Sequence, residues 1–451
     1  MSSRLFGTDG VRGVANRELT ADLTFKLAFS TAYTLFAERA EAPTVLIGHD
    51  TRISKDMLQA ALISGFCAAG ARVILAGTVP TPAVAWLCRK HDCDLGVVIS
   101  ASHNSFEHNG IKIFNHEGYK LPDTVEDKIQ ENLQAYDEIK NLPIADNVGV
   151  VSHLTEAADE YREHLLEMIK PDLSGLKLVV DTANGAAYHI APKLFSACGA
   201  TLISVANEPN GININDNCGS THVENLGPLV LKHGADAGLA FDGDADRLLA
   251  VDEKGEVLDG DIMLAIMAKH LHDRGKLRKN TLVVTVMSNM GLNVMAKQEG
   301  IELVKTKVGD RYVLEEMLKY GYILGGEQSG HMISMEHSTT GDGLLSALTL
   351  LDIMRESDKP LSELRKIINI FPQVLLNVDV PNSLKAQVME DADVLAACEQ
   401  VETDLGEEGR ILLRPSGTEP KVRIMIEGKD IEQIRSQAES LQRLIASKYT
   451  Y

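Results

Sequence analysis

"LKLVVDTANGAAYHIAPKLFSACGATLISVA", residues 176–206, is the stretch on which the fold turns. It opens with an apolar strand, passes turn residues, and enters a helix through "IAPKLFSACG" that stops at Gly199. A second apolar strand, "ATLISVA", follows. A glycine just past a helix end supplies the left-handed cap that other residues resist. Strand–helix–strand units assemble into largely parallel sheets with helices on the faces. The same unit occurs twice more. "TVLIGHD" (44–50) leads to a helix from Lys55 to Gly70 and then to "ARVILAG". "TLVVTVMSNMG" (281–291) leads to "LNVMAKQEG", ending at Gly300, and then to "IELVKT". The repeat is far longer than the roughly 20–50 residues of a solenoid. The expectation is three similar mixed-sheet α/β domains over residues 1–150, 151–255 and 256–367.

Residues 368–451 read differently. "GRILLRPSGTEPKVRIMIEG" is a hairpin-like pair of strands, and "DIEQIRSQAESLQRLIASKY" is a closing helix, so a smaller C-terminal α+β domain is expected.

The 451 residues carry 64 acidic against 44 basic side chains, a formal net charge of -20. No Lys/Arg run stands out, which argues against nucleic acid or an anionic membrane as partner. No window reaches the roughly 20 apolar residues of a membrane span, and the first residues lack a signal pattern, so a cytoplasmic protein is expected. The six cysteines (67, 88, 93, 198, 218, 398) complete no zinc pattern and read as reduced thiols, mostly core.

Four loops carry chemistry. "FDGDADRLLAVDEKGEVL" places Asp242, Asp244 and Asp246 at alternate positions. Three crowded carboxylates repel one another without a cation, and an oxygen-rich set suits a hard divalent ion such as Mg2+, leaving positions for water or phosphate oxygens. A calcium EF-hand is excluded by Arg247 where the sharp turn needs glycine, and by strand-like flanks. "VVISASHNSFEHNGIKIF" (97–114) runs from a strand into Ser100, Ser102 and His103. "GGEQSGH" (325–331) alternates Glu327, Ser329 and His331, a set suited to sugar hydroxyls. "RPSGTEPKVR" (414–423) concentrates Arg414, Ser416, Gly417, Thr418, Lys421 and Arg423 around a glycine that frees backbone N–H groups for an anion.

With "FGTDGVRG" (6–13), these motifs in this order resemble the α-D-phosphohexomutase superfamily over essentially the whole chain, and within it the bacterial branch acting on glucosamine phosphate. The resemblance implies four domains around a central cleft, each giving one loop. Ser102 falls on the phosphoserine, and Asp242, Asp244 and Asp246 on the ligands of one Mg2+ per chain, with Ser102's phosphate as a further ligand. Glu327 and Ser329 fall on the sugar loop. Arg414, Ser416, Gly417, Thr418 and Arg423 fall on the grip for the non-reacting phosphate, and Arg12 and Arg247 lie near the transferred one. Gln328 resembles the glucosamine branch.

The implied reaction interconverts glucosamine 6-phosphate and glucosamine 1-phosphate through a 1,6-bisphosphate, which also serves as primer, and supplies UDP-N-acetylglucosamine and cell-wall precursor synthesis. The partner is then a small hexosamine phosphate, with a homodimer as the assembly to test. Lys112 and His331 are the candidate bases; Lys112 needs its pKa depressed for that role and would otherwise pair with phosphate. His103 reads as orienting the loop. Ser105 stands where the family usually has proline, which puts the loop's rigidity in question. The rival readings are a phosphomannomutase or phosphoglucomutase of the same superfamily, a metal-dependent sugar phosphatase with Asp242 as nucleophile, and a sugar-phosphate sensor.

Overall fold

The structure, a computed structural model, describes residues 4–7, 9–39, 41–139, 142–416 and 420–449. The chain divides into two compact units, one of Met1–Met287 with Gly300–Ile367, the other of Ser288–Glu299 with Ile368–Tyr451.

The first unit holds three mixed sheets. The strand order in the first is Val11–Val14, His108–Asn115, Leu95–Ile99, Thr44–His49, Arg72–Thr78, Val151–His153. In the second it is Val257–Leu258, Leu248–Asp252, Ala237–Phe241, Lys177–Asp181, Thr201–Val205. In the third it is Glu302–Thr306, Thr281–Thr285, Leu324–Gly326, Met332–Ser334. Each repeated unit forms a parallel pair, as Thr44–His49 with Arg72–Thr78, Lys177–Asp181 with Thr201–Val205, and Thr281–Thr285 with Glu302–Thr306. The inner strands of these pairs are buried almost throughout. Burial on both faces is why "TVLIGH", "KLVVD" and "TLVVT" read as continuous apolar runs rather than as alternating ones. The intervening helices end as expected, with Gly70, Gly199 and Gly300 at φ +85°, +91° and +70°.

The three sheets share a second feature that places the site. In each, a further parallel strand turns directly into an antiparallel partner. These pairs are Leu95–Ile99 with His108–Asn115, Ala237–Phe241 with Leu248–Asp252, and Leu324–Gly326 with Met332–Ser334. The connecting loops are the serine loop, the aspartate loop and the "EQSGH" loop, each leaving the carboxyl end of a parallel strand, where α/β sheets bind ligands. The sheets also overrun the domain limits drawn from sequence. Val151–His153 adds in parallel to Arg72–Thr78 of the first sheet, and Val257–Leu258 adds to Leu248–Asp252 of the second.

The second unit has Lys421–Gly428 between Gln373–Asp379 and Gly409–Pro415, all antiparallel. Val422, Ile424 and Ile426 face its core with Ile434 and Leu441 of the helix Ile431–Tyr449. The helix Met290–Glu299, assigned from sequence to the third domain, groups with this unit. Glu427, fully buried, accepts from the Met290 N–H at 3.0 Å and from Arg410 Nε at 2.6 Å. Asn289 exchanges two 3.0 Å bonds with the Phe371 backbone. A Cβ on Gly291 would lie 2.1 Å from the Asn369 carbonyl, so glycine is required at this close approach. The helix is covalently part of the third βαβ unit, but its first turn is satisfied by a buried carboxylate of the C-terminal sheet.

Among the described cysteines, Cys88, Cys93, Cys198 and Cys218 are buried and all six are free thiols, as read from sequence. Burial pushes the Cys88, Cys93 and Cys218 thiols up to about 12, which leaves them unreactive. Among the described residues no helix is long and apolar enough to cross a membrane.

Candidate active site

The serine and aspartate loops meet. Ser102 is 1 % exposed, and its hydroxyl donates to Asp242 Oδ2 at 2.6 Å. The chain holds Ser102 in the left-handed region, φ +53°, where a side chain other than Gly or Asn needs support. That support is dense. The Ser102 N–H donates to Ser100 Oγ at 3.0 Å, and Ser100 Oγ donates to Asp50 at 2.6 Å. The Ser102 carbonyl accepts from Arg52 Nη2 at 3.2 Å and from Asn215 Nδ2 at 2.9 Å. The Asn104 carbonyl accepts from the same two side chains. Arg52 is fully buried against Asp50. Ser105, which stands where the family usually has proline, is exposed and follows the two carbonyls that Arg52 and Asn215 hold.

The glycine inside "DGDAD" has a steric reason. A Cβ on Gly243 would meet the Ser102 carbonyl at 2.5 Å, so only glycine lets the aspartate loop close on the serine. Asp242, Asp244 and Asp246 then converge, with one oxygen of each lying within 4.8 Å of the others. All three are buried. Burial, then Asp246 and Asp244, push Asp242 well above the usual carboxylate range. Asp246 is held well below it because Lys112, His331 and Arg247 outweigh its burial. Asp244 Oδ1 and Asp246 Oδ1 are buried without a hydrogen-bond partner among the described residues. Two buried carboxylate oxygens without a hydrogen bond, beside a third carboxyl whose pKa burial and its neighbours raise, fit a hard divalent cation, for which this is the one such cluster among the described residues.

Lys112, 1 % exposed, reaches Asp244 at 2.7 Å, Asp9 at 3.0 Å and Asp246 at 3.1 Å. Burial alone would lower its pKa, but these three carboxylates hold it well above the usual lysine value. The depression that a lysine base needs is therefore opposed by these carboxylates. His331 is also enclosed. Nδ1 lies 3.6 Å from Asp246 and Nε2 3.5 Å from Asp310, while Nε2 accepts from the Gly341 N–H at 3.1 Å. Asp246 and Asp310 raise its pKa against burial. His103 Nδ1 is 3.3 Å from Ser102 Oγ. Burial, with Arg247 and Arg12 nearby, lowers it to about 4, so the ring is neutral near pH 7 and suited to orienting the hydroxyl.

Arg247 turns its N–H to Asp242 Oδ1 at 3.2 Å, and Arg12 pairs with Asp9. Both guanidinium Nε atoms are buried without a hydrogen bond among the described residues, and Arg247 Nε lies 3.7 Å from Asp246 Oδ1. In the third loop, Glu327 accepts from the Gly309 N–H at 3.1 Å and Ser329 is exposed. Gln328 Nε2 donates to Asp259 at 3.0 Å, the N-cap of the helix Gly260–Asp273, and the Gln328 backbone carbonyl accepts from the Gly260 N–H.

In the second unit, Arg414 and Arg423 face each other directly across the hairpin. Burial and the Arg423 charge depress the Arg414 guanidinium. Like charges opposite each other destabilise a strand pair unless an anion intervenes. Lys385 Nζ donates to the Ser416 carbonyl at 2.6 Å. Gly417 and Thr418 lie outside the described residues.

Asp9, Asp50, Arg52, Thr81, Lys120, Asn215 and Asp310 were missed in the sequence as site builders. Asp50 and Arg52 had a signal, since "GHDTR" ends a parallel strand at its carboxyl end. Lys120, which bridges Asp9 and Asp310, and Asn215 had none, because their partners are more than 100 residues away.

Comparison with known proteins agrees with the motifs. Four family models match in order, described as phosphoglucomutase/phosphomannomutase alpha/beta/alpha domain I (residues 3–140), domain II (159–255), domain III (259–371) and C-terminal domain (375–444). A phosphoglucosamine mutase of Acetivibrio thermocellus is 53% identical over 445 residues, 99% of either chain, and one of Ruminiclostridium cellulolyticum is 52% identical over the same span. The crystal structure of a phosphoglucomutase/phosphomannomutase family protein from Burkholderia thailandensis superposes with a TM-score of 0.84 at 25% identity, covering 99% of this chain and 98% of that one.

Proposed function

Because the chain belongs to the phosphoglucomutase/phosphomannomutase family and is an isomerase of the phosphotransferase kind, we propose that it interconverts glucosamine 6-phosphate and glucosamine 1-phosphate through a phosphorylated Ser102. The observation that carries this is the 2.6 Å bond from Ser102 Oγ to Asp242, which joins the candidate nucleophile to the carboxylate cluster. The 53% identity to a phosphoglucosamine mutase supports the amino sugar over glucose or mannose.

In the forward half, the phosphoryl group leaves Ser102 Oγ for the sugar O1, whose proton is taken up by the site. The resulting 1,6-bisphosphate turns around, and its O6 phosphoryl returns to Ser102. Phosphoryl transfer depends on positioning and charge stabilisation more than on covalent chemistry. Asp242, Asp244 and Asp246 would hold one Mg2+, which supplies charge neutralisation to the phosphoryl oxygens. Arg247 and Arg12, whose buried Nε atoms make no hydrogen bond among the described residues, take the transferred group. Glu327 and Ser329 orient the sugar hydroxyls, and Arg414, Ser416, Gly417, Thr418 and Arg423 grip the distal phosphate. Lys112 and His331 are the candidate bases, and pH–rate profiles of Lys112→Met and His331→Asn assign the role by which variant loses the acidic limb, the one produced by a base that must be unprotonated. The product feeds UDP-N-acetylglucosamine and cell-wall precursor synthesis in the cytoplasm.

The deciding experiment incubates the protein with Mg2+ and glucosamine 1,6-bisphosphate and locates the phosphoryl group by intact-mass and peptide analysis. The expected result is one phosphoryl group on Ser102, absent in Ser102→Ala. Label on Asp242 would establish the phosphatase reading instead. A coupled assay with glucosamine 6-, glucose 6- and mannose 6-phosphate tests the sugar, and preference for a neutral hexose phosphate would overturn the glucosamine assignment.

A further inference from the structure

We propose that Thr81 is a positioning residue for the cation ligand Asp244: it occupies one carboxylate oxygen so that the other is presented to the ion. Thr81 opens the helix Thr81–Lys90 of the first sheet's domain and is 1 % exposed. Its hydroxyl donates to Asp244 Oδ2 at 2.5 Å, and its N–H donates to the Asp244 carbonyl at 3.0 Å. One residue thus holds Asp244 by both side chain and backbone across a sequence separation of 163. Lys112 Nζ is the second donor to the same Oδ2, at 2.7 Å. A carboxylate oxygen has two lone pairs, and these donors use both.

Asp244 Oδ1 is left buried with no hydrogen-bond partner among the described residues. The other two aspartates are held differently. Asp246 Oδ2 has Lys112 at 3.1 Å while His331 Nδ1 and Arg247 Nε lie 3.6 and 3.7 Å from its Oδ1, and Asp242 divides its oxygens between Ser102 and the Arg247 N–H. Outer-shell donors of this kind orient metal ligands, and their loss typically costs about 10–100-fold in metal affinity or activity. Threonine suits the task because its branched Cβ limits χ1 and keeps the hydroxyl aimed.

The inference rests on the cation site proposed above, and the test separates the two. Mg2+ and Mn2+ are titrated calorimetrically into unphosphorylated full-length wild type, Thr81→Val, Thr81→Ala and Thr81→Ser, each first shown to be folded by far-UV circular dichroism in EDTA. Valine keeps the branched shape and removes only the donor, whereas alanine also leaves room and so guards against a packing clash. The expected result is affinity weakened at least about 10-fold in the valine and alanine variants. Serine, which restores the hydroxyl, should lie within about 3-fold of wild type, less than the outer-shell loss. Wild-type affinity in Thr81→Val or Thr81→Ala, or equal weakening in Thr81→Ser, overturns the role of Thr81 alone. Absence of metal binding to wild type overturns the cation site and with it this inference.

Discussion

Replacing Tyr161 with phenylalanine should destabilise the protein more at pH 8 than at pH 5. Tyr161 lies on the helix Ala157–Met168 and donates its hydroxyl to Asp342. Asp342 in turn caps the helix Gly343–Ser357, accepting from the Leu345 N–H at 3.0 Å. Both side chains are nearly inaccessible, at 1 % and 2 % exposure. Burial raises the Asp342 carboxyl to about 6, with the Leu345 N–H and the Tyr161 hydroxyl pulling the other way. Since the folded pKa lies above the unfolded one, the native state holds the extra proton between roughly pH 4 and 6, and stability declines as pH rises through that window.

Removing the tyrosine hydroxyl takes a donor from a carboxylate that is ionised above about 6. A hydrogen bond to a charged group is worth about 1.5–3 kcal/mol, and one between neutral groups about 0.5–1.5 kcal/mol. The loss should therefore be about 1 kcal/mol larger at pH 8 than at pH 5. Trp86, the one tryptophan, reports on this region, with its ring 6.2 Å from that of Tyr161 and stacked on His164. Urea unfolding followed by its fluorescence at the two pH values supplies both numbers. An equal loss at both, or a loss under about 0.5 kcal/mol at pH 8, would refute a charge-assisted bond across the domains.

Asn215→Ala removes one of the two side chains pinning the Ser102 carbonyl, and a serine displaced by about 1 Å should cost kcat on the order of 10²-fold. Steady-state kinetics should show that loss with far-UV circular dichroism unchanged. Gly330→Ala puts a Cβ 2.1 Å from the Leu248 carbonyl at φ +90°, so thermal unfolding should show a destabilised protein, by at least about 1–3 kcal/mol from backbone strain alone. Arg423→Ala should raise KM for the hexosamine phosphate at least about 10-fold, in line with loss of a charge-assisted bond of 1.5–3 kcal/mol. An unchanged KM would remove Arg423 from the phosphate grip.

The expectation about Gln328 marks one limit of sequence reading. In sequence the residue resembles the glucosamine branch, and only the fold adds the bond from its amide to the helix cap Asp259. The Lys112 expectation shows another. Its sequence context, "NGIKIF", names a lysine on a strand, and only the fold adds Asp9, Asp244 and Asp246 around its ammonium.

What the sequence determined by itself is what local physics governs. Continuous apolar runs specify doubly buried strands, glycines stop the helices between them, and three alternate aspartates carry the oxygen-rich pattern that suits a hard cation. What only the tertiary structure decided is which residues meet. Ser102 faces Asp242, Arg52 and Asn215 pin its carbonyl, and the helix Met290–Glu299 joins the C-terminal unit around buried Glu427. These partners are 50 to 140 residues apart. Their pairing follows from how sheets and loops pack, through close approaches such as Gly243 against Ser102, and no local preference encodes it.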